Sequence, residues 1–214
     1  MTRADLDKQP AEVAAMFDAL AGRYDMMNDI LSMGQVRLWR RRVQRILQAG
    51  PGERVLDLAA GNGRHALFFA ARQAHVVAAD RDRAALARLA ETPGIETRAV
   101  DLETGAWPFP GERFDAIVVV HYLHRALFPH LLSALADDGV VLYETFAFGN
   151  ASYGRPANPA FLLAPAELLD FARDRLTVVA FEQGLVAAPQ AAVRQRLAAV
   201  GRARAWPPPL PTGV

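Results

Sequence analysis

The pattern of hydrophobic positions changes near residue 50. Over residues 1–49, apolar side chains such as Val13, Phe17 and Leu20 recur at three- and four-residue spacing, which is typical of amphipathic helices. A break near residues 32–34 divides this region into two or three short helices. We therefore expect residues 1–49 to form a helical lid ahead of the main domain.

From residue 54 onward, short β-branched or apolar runs alternate with helical stretches. The runs predict strands at RVLDLA, HVVAAD, IETRAV, FDAIVVV, GVVLYETF and LTVVAFE. The helical stretches are 64–73, 83–91, 125–136 and 165–173, the last with Pro165 in its first turn, whereas 190–200 fits a strand or a helix. This alternation predicts an α/β fold over residues 50–200, with a parallel sheet covered on both faces.

Two segments lack such periodicity. Residues 146–164 form a connection of a length that is more often functional than idle. Residues 201–214 contain four prolines, a composition that continues neither a sheet nor a helix, so we expect a disordered tail.

The composition is that of an ordinary globular domain. The 214 residues carry 24 Lys and Arg against 23 Asp and Glu, and 52% are hydrophobic. There is no cysteine, which excludes disulfides, thiolate zinc sites and a cysteine nucleophile. Because no apolar stretch is long enough to span a bilayer and no apolar leader opens the chain, we expect a soluble protein in the cytoplasm.

A glycine-rich turn is the strongest local signal. The strand at RVLDLA runs into Gly61, Asn62 and Gly63 and then directly into a predicted helix. Glycines permit a tight turn and let a ligand approach the backbone N–H groups at a positively polarised helix start. We therefore predict that these three residues bind a cofactor.

Acidic residues stand near the carboxyl ends of three consecutive predicted strands: Asp57, Asp80 and Asp101. Ligands of open α/β folds bind at this edge of the sheet. The Asp80 carboxylate can accept hydrogen bonds from both hydroxyls of a ribose. Asp101 can bind the amino group of an adenine, with Leu102 beside the ring.

Two cofactors fit part of this pattern. A nicotinamide dinucleotide suits the glycines and Asp80, but the negative charge of Asp57 repels its pyrophosphate. The same charge attracts S-adenosylmethionine, which carries an ammonium group and a sulfonium. The pattern favours S-adenosylmethionine, with an NAD-dependent oxidoreductase and a non-catalytic S-adenosylmethionine-binding protein as the alternatives.

The segment D57-L-A-A-G-N-G63 resembles the first motif of the class I S-adenosylmethionine-dependent methyltransferases, and the resemblance covers about residues 50–200. One departure is Ala59, where many members carry glycine. The resemblance implies a Rossmann-like three-layer sandwich around a mostly parallel, seven-stranded sheet whose final strand is antiparallel.

Two finer resemblances concern different parts of the chain. Residues 6–39 are similar to the amino terminus of the ubiquinone/menaquinone biosynthesis C-methyltransferases at seven positions: Phe17, Tyr24, Asp25, Asn28, Ser32, Gly34 and Trp39. The segments H121-Y-L-H-R and Y143-E-T-F-A-F-G resemble small tellurite-resistance-type methyltransferases. Together they imply a small-molecule acceptor, with a demethylmenaquinone-like quinone precursor as the candidate.

Side chains for the acceptor side come from several regions. His121 and His124 follow a strand end, where either side chain could be a general base. They lack a third ligand with suitable spacing, so we expect no metal site. Aromatic side chains that could wall an acceptor pocket and exclude water are Phe17, Tyr24, Tyr122, Phe146 and Tyr153.

Basic residues cluster in the predicted lid. Five arginines lie between residues 37 and 45, a pattern that suits either a solvated helix face or contact with an anionic membrane surface. Only Trp39 accompanies them, so nucleic acid is not an expected partner. The sequence leaves the oligomeric state open.

Overall fold

A seven-stranded sheet forms the centre of the protein. The computed structural model describes residues 51–187 and 190–205, so the predicted lid and most of the predicted tail lie outside the described residues. The strands in the described ranges are β1 Arg54–Leu58, β2 His75–Asp80, β3 Ile95–Ala99, β4 Phe114–Val120, β5 Leu135–Phe146, β6 Leu176–Val186 and β7 Ala192–Gly201.

Short helices connect the strands. In the described ranges the α-helices are α1 Arg64–Ala70, α2 Arg83–Ala87, α3 Phe128–Ala134 and α4 Glu167–Ala172. Single turns of 3₁₀-helix lie at Arg125–Leu127, Asn150–Ser152 and Pro159–Phe161.

The strand order is β3-β2-β1-β4-β5-β7-β6. Strands β1 to β5 pair in parallel, whereas β7 runs antiparallel to both β5 and β6. The predicted fold, with an antiparallel final strand, is therefore confirmed, and residues 190–200 belong mainly to a strand. Because the carboxyl ends of β1, β2, β3 and β4 meet at one edge, the loops after them lie side by side.

Alternate residues of the strands supply two separate cores. Leu56 and Ile117 face the side covered by α3 and α4, whereas Val55 and Val118 face the side covered by α1 and α2. Strand residues such as Leu56 are fully buried, and each such side chain contributes about 1.5–3 kcal/mol. Burial on both faces explains why these strands are continuous apolar runs.

The helices begin and end differently from the sequence prediction. Those predicted over 64–73 and 83–91 end at Ala70 and Ala87, and the one predicted over 125–136 begins with a 3₁₀ turn and ends at Ala134. The prediction of Pro165 in a first helical turn is wrong, because α4 begins at Glu167. The preceding Ala166 has a left-handed φ of 62°, which an α-helix does not accommodate.

The long connection over residues 146–164 is held by specific hydrogen bonds. Asn150 is buried, donating through Nδ2 to Pro156 O at 2.9 Å and accepting from Val193 N at 3.0 Å. The Phe148 N–H donates to Leu163 O at 2.8 Å, and the Leu163 N–H donates to Phe146 O at 3.0 Å. The connection therefore returns to the carboxyl edge of β5.

Arg125 joins this connection to α4. Its guanidinium donates to both carboxylate oxygens of Glu167 at 2.6 and 2.8 Å and to the carbonyls of Ala160 and Leu162 at 2.9 and 2.8 Å. Only the planar fork of arginine can form all four bonds at once.

None of the helices in the described ranges is long and apolar enough to cross a membrane. Of the predicted tail, residues 201–205 are described, and the Ala203 N–H donates to Asp137 O at 3.0 Å.

We predict that Arg125→Lys lowers the free energy of unfolding by about 1–2 kcal/mol, because an ammonium group keeps the charge but not the bidentate pairing. Hydrogen exchange should accelerate at Phe148 and Leu163 before it does in β1. Chemical denaturation together with exchange measurements tests this. Arg175→Lys is the control, and equal losses in the two variants would contradict the assignment.

Candidate functional site

The glycine turn links β1 to α1 at the carboxyl edge of the sheet. Gly61 and Gly63 have left-handed φ angles of 53° and 73°. The Gly61 N–H donates to Asp80 Oδ2 at 2.8 Å, and the Asp82 N–H donates to Asp80 Oδ1 at 2.8 Å. Asp80 therefore holds the turn against the end of β2, a contact that the sequence did not reveal.

The two glycines differ in their surroundings. A Cβ added at Gly61 would meet no atom of the described residues within 4 Å, whereas one added at Gly63 would lie 2.3 Å from the buried Leu89 side chain. Gly63 is thus required for packing, while Gly61 leaves the space above the turn open. Asn62 lies between them and is exposed.

Ala59, at the start of the turn, also has a left-handed backbone, with φ of 57°. This explains why the resembling family often carries glycine here, since a Cβ is disfavoured in that conformation by roughly 1–2 kcal/mol. Alanine in place of glycine at position 59 therefore strains the backbone locally but does not change the path of the turn.

Asp57 lies beneath the turn. Its carboxylate accepts from the Ala66 N–H in the first turn of α1 at 2.9 Å, and the residue is 1% exposed. Burial raises the pKa of Asp57 to about 7, although the Ala66 bond and the charge of Arg64 act in the opposite direction. Asp57 thus caps α1, whose N-cap residue Gly63 has no side chain to do so.

A cavity of about 160 Å³ opens beside the turn. It is lined by residues from the ends of β1, β2, β3 and β4: Ala59, Asp80, Arg81, Val100, Asp101, Leu102, Glu103 and Tyr122. Three residues predicted to bind the cofactor, Asp80, Asp101 and Leu102, thus share one cavity. The other predicted cofactor residues, Asp57, Gly61, Asn62 and Gly63, belong to the adjoining strand and turn.

Tyr122 belongs to the wall of this cavity, although the sequence prediction assigned it to the acceptor pocket. Its hydroxyl is buried and has no hydrogen-bond partner among the described residues. Burial, with the nearby carboxylates of Glu103 and Asp101, raises the pKa of Tyr122 to about 12. A buried hydroxyl without a partner costs about 1–3 kcal/mol, so this one offers an unused hydrogen bond at the cavity.

The two predicted catalytic histidines occupy different surroundings. His121 directly follows β4, has a left-handed φ of 57° and donates its backbone N–H to Glu144 O at 2.8 Å. His124 precedes the 3₁₀ turn at Arg125–Leu127 and makes no side-chain hydrogen bond to cap it. The structure brings His121, but not His124, into a cluster of charged side chains.

This charged cluster comprises His121, Glu144, Phe146, Arg194 and Arg196. Glu144 Oε1 lies 2.6 Å from Arg194 Nη1, and Glu144 Oε2 lies 3.1 Å from Arg196 Nε. Burial raises the pKa of Glu144, but the charges of Arg196 and Arg194 outweigh it and hold the pKa below its ordinary value.

The other residues that the sequence predicts for the acceptor pocket are Tyr153, Phe17 and Tyr24, and the structure does not place Tyr153 in the cavity or the charged cluster. Tyr153 is 44% exposed on the 146–164 connection, and Phe17 and Tyr24 lie outside the described residues. Across residues 51–187 and 190–205, no three His, Asp or Glu side chains are grouped as metal ligands would be.

Comparison with known proteins identifies the relatives of this chain. The sequence model of the ubiE/COQ5 methyltransferase family matches residues 3–135. A demethylmenaquinone methyltransferase of Mycobacterium sp. (strain KMS) is 39% identical over 178 residues, 82% of this chain and 74% of the relative. One from Streptomyces avermitilis is 46% identical over 121 residues, 56% of this chain and 51% of the relative.

Solved structures share the fold. TehB from Haemophilus influenzae aligns with a TM-score of 0.60 at 18% identity, covering 82% of this chain and 67% of its own. An S-adenosylmethionine-dependent methyltransferase from Mesorhizobium loti aligns with a TM-score of 0.59 at 18% identity, covering 75% of this chain and 96% of its own. The predicted resemblance is confirmed, by the family match for sequence and by these structures for fold.

We predict that Ala59→Gly raises the free energy of unfolding by about 0.5–1 kcal/mol, since relief of the left-handed Cβ exceeds the added chain entropy. Ala84→Gly, at an exposed helical position in α2, should lower it by a similar amount. Urea denaturation of both variants measures the difference. A loss of stability in Ala59→Gly would contradict the strain.

We predict that Asp57→Asn stabilises the protein increasingly as the pH rises. Between pH 4 and 7 the folded wild type retains a proton on Asp57 that the unfolded chain releases, so its unfolding free energy falls with rising pH. The advantage of the variant should therefore grow by at most about 1.4 kcal/mol per pH unit and level off above pH 7.

Urea denaturation of the Asp57→Asn variant and the wild type at pH 5, 6, 7 and 8 measures this difference. Asp115→Asn is the control, because Asp115 lies on β4 away from the turn. A difference that stays constant over this range would show that Asp57 does not titrate there.

Proposed function

The chain belongs to the ubiE/COQ5 methyltransferase family, and we propose that it methylates a demethylmenaquinone-like quinone precursor with S-adenosylmethionine as the methyl donor. Two named relatives, both demethylmenaquinone methyltransferases, support this choice of acceptor. The family match places the protein among methyltransferases and does not favour the oxidoreductase alternative.

One observation carries the cofactor assignment. A single cavity combines the Asp80 and Asp101 carboxylates with the apolar side chains of Val100 and Leu102. Carboxylates suit the hydroxyls of a ribose and the amino group of an adenine, and the apolar side chains suit the faces of the purine ring. The Asp57 carboxylate beneath the turn, when ionised, repels the pyrophosphate that a nicotinamide dinucleotide would bring to this helix start.

The surroundings of the cavity fit an adenosyl ligand in two further respects. The open space above Gly61 lets a ligand approach the backbone of the turn. The partnerless hydroxyl of Tyr122 supplies a hydrogen bond that the described protein groups do not use. We therefore place Tyr122 with the cofactor rather than with the acceptor.

We assign each residue of the site a separate role. Asp80 and Asp101 orient the nucleoside, while the ionised form of Asp57 favours the positive charge of the ligand from beneath the turn. When bound, S-adenosylmethionine supplies a methyl group activated by a positively charged sulfur. His121 and His124 remain the candidates for the acceptor side, and Tyr153 a candidate for its wall.

The predicted lid is the last part of the proposal, and it rests on the sequence alone. Residues 1–49, with Phe17 and Tyr24, would close the acceptor side against water. Their arginine-rich stretch would meet the anionic membrane surface from which a polyprenyl quinone precursor must be taken.

We predict that the wild type binds S-adenosylhomocysteine but not NAD, and that Gly61→Val weakens this binding at least about 100-fold. The valine side chain would fill the open space above the turn, and its Cβ would have no atom of the described part of the chain within 4 Å. Gly52→Val is the matched control, because Gly52 also has a positive φ and open surroundings but lies before β1 at the opposite edge.

Calorimetric titration measures binding, and transfer of a labelled methyl group to a short-chain demethylmenaquinol measures activity. Both variants carry a strained valine, so equal losses of affinity would contradict the role of the turn. Binding of NAD in place of S-adenosylhomocysteine would overturn the cofactor. Binding without transfer to any acceptor would leave the non-catalytic alternative.

A further inference from the structure

The charged cluster assembles where the antiparallel strand β7 begins beside the carboxyl end of β5. Arg194 and Arg196 on β7 pair in register with Phe146 and Glu144 on β5. His121 follows β4, the other neighbour of β5, and directly precedes Tyr122 in the wall of the cofactor cavity. The cluster and the cofactor cavity are therefore adjacent at one edge of the sheet.

Arg194 is the central member of the cluster. Its side chain is 18% exposed, its Nη1 lies 2.6 Å from Glu144 Oε1, and its guanidinium carbon lies 4.9 Å from the centre of the Phe146 ring. The same Nη1 contacts His121 Nε2. Its Nε is buried and has no hydrogen-bond partner within residues 51–187 and 190–205. Arg194 thus spans Glu144 and His121 and still has an unused donor.

The contact with Arg194 fixes the proton arrangement of the His121 ring. A guanidinium has only donors, so its contact with Nε2 requires a lone pair on that nitrogen. The ring proton of a neutral histidine must then lie on Nδ1.

The charges around His121 favour this neutral form. Burial and the charge of Arg194 lower the pKa of His121, and Arg64 on α1 and Arg196 on β7 act in the same direction. Glu144 raises the pKa, but its carboxylate lies 3.9 Å from Nε2, farther than a hydrogen bond.

The backbone holds His121 in place at a cost in energy. A left-handed φ of 57° is unfavourable for a residue with a Cβ, and the bond from its N–H to Glu144 O keeps it there. Strain of this kind persists where the surrounding structure imposes it and is concentrated at functional sites. The side chain is 46% exposed, so the ring is not enclosed by the cluster.

We infer that Arg194 is a positioning residue that holds His121 as the neutral Nδ1–H tautomer, which donates a hydrogen bond to an oxygen of the acceptor. His121 is then a donor and does not take a proton from the acceptor, because Arg194 occupies its only lone pair. The positive charge of Arg194 beside the ring suits an aromatic acceptor that carries a negatively charged oxygen. This assignment rests on the proposed function for the identity of the acceptor.

Nuclear magnetic resonance of the full chain with ¹⁵N-labelled histidine tests the tautomer without any ligand. Long-range proton–nitrogen spectra between pH 5 and 9 distinguish Nδ1–H from Nε2–H rings, and loss of one signal in His121→Gln assigns His121. We expect an Nδ1–H ring in the wild type, with a pKa below the ordinary value of histidine. In Arg194→Met the pKa should rise and the Nε2–H form should appear.

The exposed Arg202, just beyond β7, provides the control, since Arg202→Met should leave the His121 signal unchanged. An Nε2–H ring in the wild type would overturn the inference, and so would an unchanged His121 pKa in folded Arg194→Met. The wild-type spectrum alone decides the tautomer if Arg194→Met fails to fold.

Steady-state kinetics separates this inference from the proposed function. With a short-chain demethylmenaquinol, Arg194→Met should raise the acceptor KM about tenfold while S-adenosylhomocysteine affinity stays within twofold. An Nδ1–H ring in a wild type that methylates no quinol would support the tautomer and contradict the proposed acceptor. An unchanged KM in Arg194→Met would overturn the acceptor role of the cluster.

Discussion

Two buried or half-buried carboxylates hold the turn on which the cofactor side of the site depends. Asp57, under the turn, binds the Ala66 N–H of α1, and Asp80, on the next strand, binds the Gly61 N–H. Both bonds reach backbone donors that have no partner of their own at a helix start or tight turn. Truncating either side chain to alanine would remove the bond that holds the turn or the helix start, as well as a charge from the site.

This arrangement makes stability and binding compete at Asp57. Burial raises its pKa to about 7, so near neutral pH the carboxylate is ionised only in part. The ionised form attracts a cationic ligand but destabilises the folded protein, whereas the protonated form does the reverse. A cationic ligand should therefore displace a proton from Asp57 as it binds. An uncharged side chain at this position would be the more stable choice for a domain that bound no cation.

The parallel part of the fold was predictable because its signals are local. Each strand that is buried on both faces is a continuous apolar run, and the strand ends carry Asp80, Asp101 and the glycines. The helix limits were less predictable. Ala166 has a left-handed φ, and the residue type alanine gives no indication of this conformation.

The charged cluster could not be predicted for a different reason. Glu144 and Arg194 are 50 residues apart and meet only through the antiparallel register of β5 and β7. Arginine is also common throughout this chain, so residue type alone did not distinguish Arg194 and Arg196 from the exposed arginines. Tyr122 shows the same limit at shorter range, because the sequence placed it after a strand without indicating which cavity it would face.

Ala59 and His121 both have left-handed backbones, and comparing them shows when backbone strain indicates a function. Both follow strands that end at the cofactor cavity, and both have a φ of 57°. At Ala59 the methyl group makes no polar contact, so glycine could replace it and relieve the strain. At His121 glycine would relieve the same strain but would remove the ring that contacts Arg194 and Phe146. Strain that a smaller residue could relieve without loss of a contact carries no information about function, whereas strain that orients a polar ring does.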